Sequence, residues 1–512
     1  MSYMDFLSDS IIIRIVAPLT ILLIFLYFYS QQQICGRKTK KYHPVGGTII
    51  NLLIHFKRAH DYLTNLAEKY KTYRLISPFH GEIYTTDPMN VEYILKTNFE
   101  NYGKGTYTHD ILRDLLGDGI FTVDGDNWRE QRKVSSHEFS TKVLRNYSSV
   151  VFKKNTIKLG NILAEAANDN QIIDIYDLFM KETMDSIFQV AFGIDLDNIC
   201  GSSEECVRFS RAFDNANTLT SRRFADISWK IKKYFNIGSE AELKKDMEVV
   251  DKFVYNMIQV KIEQMHKKTD AILNMQLKED ILSRFLQMKY KDQKYLRDII
   301  LNYVLAGKDP VGISMSWFIY LLCKHPEVQD KVAMEIKEAT NMKGKFTNVA
   351  DFASYVSEGA LKNMQYLHAA LTETIRLYPA LPWDPKICFA DDVLPDGCNV
   401  KKGDMIYYLP YAMGRMKFIW GEDAHDFKPK RWLDENGCFH PQSPFKFTAF
   451  QAGLRTCLGR DFAYTQMKIL SSILLGCFEF KLSDVNKVPR YRTSINLHID
   501  GPLEVHVFNR FG

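Results

Sequence analysis

The longest apolar run of the chain lies near its start. Residues 11–29 are apolar except for Arg14 and Thr20. As a helix this run would rise roughly 28 Å, about the thickness of a bilayer core. Basic residues at 37, 38, 40 and 41 follow it, so the positive-inside rule predicts a single-pass anchor with the rest of the chain in the cytosol. A cleaved signal peptide is the alternative, but the run is long and no small-residue cleavage site follows.

This pattern divides the chain into four parts. They are a luminal N-terminus (1–10), a transmembrane helix (11–29), a basic linker and hinge (30–47), and a large body (48–512).

The body has mainly helical periodicity with a smaller β part. Helices are predicted over residues 50–70, 88–95, 125–139, much of 141–290, 296–322 and 364–377. Strands are predicted within 72–84 and 492–498, and an extended segment over 377–386. Residues 101–120 contain several glycines and predict a loop-rich cover. The predicted fold class is therefore mainly α.

Composition excludes several classes of protein. The 66 basic and 61 acidic residues leave a net charge of only +5, so nothing suggests a nucleic-acid partner. The nine cysteines are scattered, with no CxxC pair or Cys/His cluster. This pattern predicts neither a zinc site nor a disulfide framework, and it suits a reducing compartment.

One cysteine stands out because of its surroundings. Residues 450–459 read Phe-Gln-Ala-Gly-Leu-Arg-Thr-Cys-Leu-Gly, and a helical pattern begins near Arg460. A thiolate at Cys457 would lie at a helix N-terminus, which favours negative charge. Gly453 and Gly459 permit positive φ and close approach, and Arg455 adds positive charge. The alternative is a buried loop cysteine, but the set suits a thiolate ligand to a haem iron.

The spacing Phe-x-x-Gly-x-Arg-x-Cys-x-Gly resembles the haem-ligand signature of the cytochrome P-450 superfamily. The resemblance implies haem b (iron protoporphyrin IX), with Cys457 as the iron ligand and Phe450, Gly453, Arg455 and Gly459 around the cofactor. It also implies dioxygen as co-substrate and electrons from NADPH through NADPH–cytochrome P-450 reductase. The expected protein has the P-450 fold with an N-terminal anchor in the endoplasmic reticulum membrane, in contact with lipid. Its haem-thiolate catalytic domain, residues 48–512, faces the cytosol.

Two further motifs fit this resemblance at the haem edge. Trp128 and Arg132 lie four residues apart and share a helix face. In the superfamily such a pair binds a haem propionate, for which indole N–H and guanidinium are suited. Lys386 is placed to meet a propionate as well. Taken alone, a Trp/Arg pair is more often surface packing.

A structural network is also implied. Glu373 and Arg376 form a Glu-x-x-Arg string, and Arg431 lies in a later Pro-x-Arg-Trp string. The resemblance implies that these three residues join in a buried network that holds the cysteine loop. Without it, Glu373 and Arg376 would be an ordinary surface pair.

The middle of the predicted helix 296–322 departs from the family pattern. Ala306, Gly307 and Asp309 match the oxygen-activation motif, where the resemblance implies room for dioxygen at Gly307 and a proton relay at Asp309. Pro310 and Val311 replace the usual hydroxyl residues, and the proline predicts a local kink. Ser314, one turn on, is a possible substitute. Three outcomes are open: hydroxylation with poorer coupling, proton delivery by a substrate hydroxyl, or a rearrangement that needs no dioxygen.

The expected substrate is apolar. Six residues are predicted to line its pocket: Ile120, Phe121, Leu305, Leu381, Trp383 and Ile495. Stretches 117–125, 137–140 and 411–416 resemble the plant fatty-acid omega-hydroxylase branch, which implies hydroxylation of a long acyl chain at or near its methyl end. The alternatives are a haem-thiolate isomerase or dehydratase, a hydroxylase of a specialised metabolite such as a terpenoid, and a haem protein without turnover.

Overall fold

The structure, a computed structural model, describes residues 44–77, 81–140, 142–201, 203–267, 280–287, 292–342 and 346–510. The predicted anchor at 11–29 and most of the predicted linker lie outside these residues. Within the described ranges, no helix has the length and apolar character needed to cross a membrane.

The described residues form a mainly helical fold with a smaller β part, as predicted. The helices α1 to α19 are, in order, Ile49–Ile54, Ala59–Lys69, Pro88–Glu92, Gly105–Leu116, Gly125–Ser140, Lys142–Asn168, Ile175–Phe192, Glu204–Arg222, Trp229–Phe235, Gly238–Lys267, Ile281–Gln287, Gln293–Lys324, Pro326–Ala339, Val349–Tyr355, Glu358–Asn363, Gln365–Leu377, Pro410–Met413, Lys417–Trp420 and Arg460–Cys477. The strands β1 to β13 are Val45–Thr48, Thr72–Ile76, Glu82–Thr85, Tyr102–Gly103, Ile173–Asp174, Asp384–Cys388, Asp392–Val393, Asn399–Val400, Met405–Tyr408, Phe478–Leu482, Tyr491–Arg492, His498–Ile499 and Glu504–Asn509.

The core is built around helix α12. Its first turn is capped by Asp292, whose side chain accepts a hydrogen bond from the backbone N–H of Lys294 at 3.1 Å. The helix is largely apolar all round, which is typical of a helix surrounded by other elements. It packs against α7 on one side and contacts α16 and α19 elsewhere. Helix α19 in turn packs against α6.

A six-stranded sheet lies beside this helical core. Its strand order is β1-β2-β3-β9-β6-β4, with β1/β2 and β3/β9 parallel and the other pairs antiparallel. Strand β6 pairs with β9 so that Asp384 lies opposite Tyr408 and Lys386 opposite Ile406. This register carries two charged side chains of β6 to the rim of the central cavity. Smaller sheets are β10-β13-β5, β11-β12 and β7-β8.

Two expectations about local structure were wrong. Residues 105–116 form helix α4 rather than a loop, because their glycines lie at its ends: Gly105 and Gly117 have φ of 63° and 58°. The predicted helix 50–70 is interrupted at His55. Helix α12 continues through Pro310, and the local kink expected there stays a prediction.

Candidate active site

The cysteine loop is closed by its own backbone. The N–H of Cys457 donates to the carbonyl of Phe450 at 2.8 Å, and Thr456 donates its N–H and its hydroxyl to the carbonyl of Gly453. Arg132 donates to the carbonyl of Thr456. Helix α19 begins directly afterwards, with Gly459 as its N-cap residue. The loop therefore fixes Cys457 ahead of the positive end of a helix.

The Cys457 thiol opens onto the central cavity. Burial raises the pKa of the thiol, while the Gly459 backbone N–H and the charges of Arg132 and Arg460 act in the opposite direction. Because a cysteine binds a metal as the thiolate, iron binding here would release its proton.

Only one of the two predicted glycines needs a left-handed backbone. Gly453 has φ of 62°, and a β-carbon there would overlap the carbonyl oxygen of Leu95. Gly459 has φ of −87°, which any residue can adopt, so the conformational freedom of glycine is not needed at this position. The second left-handed residue of the loop is Gln451, with φ of 61°.

A group of charged residues forms one rim of the cavity. Asp384 accepts from Lys104 at 2.6 Å and Lys386 at 2.5 Å, and the Tyr408 hydroxyl donates to it at 2.7 Å. Despite the cost of burial, Lys104 and Lys386 hold the pKa of Asp384 well below its usual range. Burial lowers the pKa of the Lys386 ammonium, so this side chain would gain from further negative charge nearby.

Arg455 completes the rim. It donates to Asp124 at 2.5 Å and stacks over Trp128, with its guanidinium carbon 4.5 Å from the ring centroid. Its Nε is buried and has no hydrogen-bond partner among the described residues. A buried guanidinium N–H without an acceptor is costly, so it indicates that a ligand oxygen belongs here.

The charge balance of the rim fits a haem. Its members are the cations Lys104, Arg132, Lys386 and Arg455 and the anions Asp124 and Asp384. The four cations outnumber the two carboxylates by two charges, which is the charge of the two haem propionates. With the thiol of Cys457 on the same cavity, the side chains present suit a haem with its iron at the sulfur.

The three residues expected to form a structural network, Glu373, Arg376 and Arg431, are in contact. Glu373 accepts from Arg376 at 2.7 and 2.8 Å, from Arg431 at 3.3 Å, and from the indole N–H of Trp432 at 2.8 Å. Arg376 also donates to the carbonyls of Gly414, Ala424 and Asp426. The Glu373 and Arg376 side chains are fully buried. All of their strong donors and acceptors are used, as a buried charge pair requires.

A cavity of about 580 Å3 extends from Cys457 towards the surface, and its wall is largely apolar. Most residues predicted for the site line it: Ile120, Phe121, Trp128, Arg132, Leu305, Ala306, Gly307, Leu381, Trp383, Lys386, Phe450, Arg455, Cys457, Gly459 and Ile495. Gly453 and Asp309 are not among the described residues that line it. Gly453 supports the loop from behind.

Asp309 lies behind Asn496 rather than on the cavity wall itself. Its carboxylate accepts from Asn217 at 3.0 Å and Asn496 at 3.2 Å, and lies 3.5 Å from a ring nitrogen of His498. Burial would raise the pKa of Asp309, but Lys308 and His498 hold it below its usual range. Gly307 and Asp309 are two residues apart, about 200° around a helix, so they cannot share a face.

Gly307 has a packing partner as well as a place on the cavity wall. A β-carbon at this position would overlap the side chain of Ile187 on α7. The glycine thus lets α7 and α12 approach closely, in addition to any room it leaves for a ligand.

Several site residues had no signal in the sequence. Lys104 and Asp384 are 280 positions apart, and neither belongs to a recognisable string. Asp124 lies in a loop before α5 and holds Arg455. Only the register of β6 and the ends of α4 and α5 bring these side chains to one rim.

Comparison with known proteins is in accord with this geometry. The cytochrome P450 family matches residues 38–505. Cytochrome P450 704C1 of Pinus taeda is 48% identical over 91% of each chain. Cytochrome P450 704B1 of Arabidopsis thaliana is 41% identical over 95% of this chain and 97% of its own, and cytochrome P450 94A1 of Vicia sativa is 37% identical over 86% and 84%. The chain therefore belongs to the cytochrome P450 family, whose members are haem-thiolate monooxygenases.

Proposed function

We propose that this enzyme hydroxylates a long-chain fatty acid or a derivative at or near the methyl end. The observation that carries the proposal is a thiol at a helix N-terminus that opens onto a largely apolar cavity of about 580 Å3. The sequence resemblance to the plant fatty-acid hydroxylases supports the acyl chain as substrate.

The family uses haem b, dioxygen, and NADPH through a reductase. When bound, the haem supplies oxygen activation and C–H oxidation. Here Cys457 would hold the iron, and Trp128, Arg132, Lys386 and Arg455, joined by Lys104, would hold the propionates. A propionate oxygen would then accept a hydrogen bond from the Nε–H of Arg455, which has no partner among the described residues.

The apolar wall has two tasks. It binds and orients the chain by burying its methylene groups, each contributing about 0.8 kcal/mol, and it keeps bulk water from the reacting end. Ile120, Leu305, Leu381 and Ile495 supply much of this surface. Apolar contacts set the orientation of a chain but distinguish poorly between lengths that differ by one methylene.

Proton supply is the unusual part of the proposed site. Pro310 and Val311 both line the cavity and carry no hydroxyl, and the carboxylate of Asp309 is held behind Asn217 and Asn496. Ser314, one turn along α12, carries a hydroxyl and also lines the cavity. This arrangement favours hydroxylation with weaker coupling to NADPH consumption than a helix with a threonine at 310 would give.

The proposed cellular setting is the endoplasmic reticulum membrane, with residues 11–29 as a single anchor, 30–47 as linker and hinge, and the catalytic domain 48–512 in the cytosol. The electron donor proposed is NADPH–cytochrome P-450 reductase. The apolar run and its basic flank support this topology.

The test begins with the sulfur–iron bond. Haem-loaded protein, reduced under carbon monoxide, should show the red-shifted Soret band of thiolate ligation, and Cys457→Ala should abolish it. Cys438→Ser, at an exposed cysteine, is the control. Fatty acids of several lengths are then incubated with the enzyme, a plant reductase and NADPH. Absence of any oxidised acyl product with a normal carbon monoxide spectrum would refute the substrate class alone.

A second candidate function is a haem-thiolate isomerase or dehydratase. The placement of Pro310 and Val311 on the cavity favours it, since such a reaction needs no proton delivery to dioxygen. Turnover of a peroxide substrate that continues without NADPH and reductase would establish it.

A further inference from the structure

One part of the cavity wall is polar. Ser221, in the last turn of α8, and Ser494 and Asn496, between β11 and β12, all line the cavity and are at most 9% exposed. The hydroxyl oxygens of Ser221 and Ser494 are 3.3 Å apart, and Asn496 donates to Asp309 at 3.2 Å. We call these three side chains the polar wall. It lies beside the turn of α12 that contains Pro310.

The polar wall has unused hydrogen-bonding capacity. Ser221 donates its proton to the carbonyl of Asn217 at 2.7 Å, so in the serine pair Ser494 is the donor. The oxygen of Ser494 can still accept. Asn496 uses one amide proton on Asp309, and its side-chain oxygen accepts nothing from the described residues. The wall therefore offers two acceptors and one donor in a largely apolar cavity.

The charges behind the wall select a neutral ligand group. Asp309 lies directly behind Asn496 and would repel an anion. The nearby cations are already matched: Lys308 lies between Asp214 and Asp309, and Arg223 is bonded to Asp114 and Glu240. A carboxylate placed at the wall would thus be buried without a free counter-ion, which is strongly unfavourable.

A hydroxyl group matches what the wall offers, because it donates one hydrogen bond and accepts others. A ligand carboxylate would instead remain towards the cavity mouth, where it keeps its hydration. Lys230 lines the opening there with its side chain 66% exposed, in an exposed pair with Asp110 at 3.0 Å.

We propose that Ser494 and Asn496, supported by Ser221, form a subsite for a neutral hydroxyl on the substrate chain, so that the enzyme prefers a hydroxylated long acyl chain to the unsubstituted one. This inference rests on the proposed function and defines its substrate class further.

The test compares ligand pairs in full-length, haem-loaded enzyme. Two fatty acids of equal length, one with a mid-chain hydroxyl, are titrated while the Soret shift is followed, and each Kd is measured. We expect the hydroxylated acid to bind about threefold to tenfold more tightly, as one or two buried hydrogen bonds would give. The hydroxyl position that gives the lowest Kd indicates how far along the chain from the methyl end the polar wall lies.

Two variants test whether the polar wall causes the preference for the hydroxylated fatty acid. Ser494→Ala and Asn496→Leu should each reduce it, and together they should bring the two Kd values within about twofold. Ile495→Val, between them on the same segment, is the matched control, because it should change both Kd values alike. If Asn496→Leu fails to fold, since Asp309 loses a donor, Ser494→Ala still tests the inference.

Two results would overturn the inference: equal Kd values in the natural enzyme at every hydroxyl position, or a preference that is as large in both single variants as in the natural enzyme. A different result marks failure of the proposed function. If neither fatty acid of a pair shifts the Soret band, the acyl class is wrong, and a diterpene alcohol with its parent hydrocarbon then tests the wall in the same variants.

Discussion

The guanidinium of Arg376 and the carboxylate of Glu373 form two hydrogen bonds, at 2.7 and 2.8 Å, with both side chains fully buried. Removal of one partner would leave the other charged and buried. We expect Glu373→Ala to lower the free energy of unfolding by about 3–5 kcal/mol, measured by urea denaturation. Glu358→Ala, in the exposed pair with Lys362, is the control and should cost under about 0.5 kcal/mol. Similar losses in both variants would contradict the network's role.

The Cys457 loop depends on one glycine more than the other. Gly453→Ala would force positive φ on a side chain that overlaps the Leu95 carbonyl, so we expect haem incorporation to fall severely. Gly459→Ala should be milder, because φ there is −87° and the added carbon would lie 3.9 Å from the Cys457 sulfur. The haem-to-protein absorbance ratio measures both. Equal loss in the two variants would refute this account.

Haem retention should depend on Lys386. Lys386→Met removes one of the positive charges at the rim that would pair with a haem propionate. We therefore expect haem to dissociate about tenfold faster or more, measured by transfer to apomyoglobin. Lys401→Met, at a side chain that is 69% exposed, should leave the rate unchanged. An unaltered rate in Lys386→Met would show that this ammonium does not serve a propionate.

Two substitutions at position 310 separate the loss of a hydroxyl from the presence of a proline. Pro310→Thr should raise the amount of product formed per NADPH, because it adds a hydroxyl on the cavity wall. Pro310→Ala restores the backbone N–H without a hydroxyl and should leave the coupling near that of the natural enzyme. Product and peroxide are measured together. If Ala and Thr improved coupling equally, helix geometry rather than the hydroxyl would be responsible.

Buried Glu182 predicts a pH-dependent stability. Burial raises the pKa of this carboxyl to about 8, although Ser186 and Gln466 hydrogen-bond to it. Between its ordinary pKa of 4.5 and about 8, the folded protein keeps a proton that the unfolded chain loses. Stability contributed by this proton is therefore lost as pH rises through that window.

Glu182→Gln should remove this dependence. Between pH 5 and pH 8.5 its melting temperature relative to the natural protein should rise, by on the order of 1 °C for each kcal/mol of relieved penalty in a folded domain of this size. The charge of the neighbouring Asp185, whose own pKa burial raises to about 6, raises the pKa of Glu182 further, so part of the change reports this pair. A difference that is constant with pH would contradict the prediction.

Much of the fold and site followed from local sequence. Helix α12 and the cysteine loop were predictable because apolar periodicity and a fixed spacing are local properties. Helix α4 was missed because its terminal glycines were interpreted as a loop signal. Contacts such as Lys104 with Asp384 depend on strand register across 280 positions, which local patterns do not encode.

The surroundings of Asp309 could not be predicted from the sequence for a related reason. The motif gave its position along the helix but not its hydrogen-bond donors Asn217 and Asn496, which come from distant segments. The serine pair of the polar wall could not be predicted from local sequence, since Ser221 and Ser494 are 273 residues apart.

The surplus of two positive charges at the rim has a consequence for biosynthesis. Without haem, the positively charged side chains of the rim, such as Lys386 and Arg455, are buried and repel one another. The porphyrin then acts as the counter-ion that completes maturation, so we expect recombinant yield to follow the host's porphyrin supply and apoprotein to be degraded when translation outruns it.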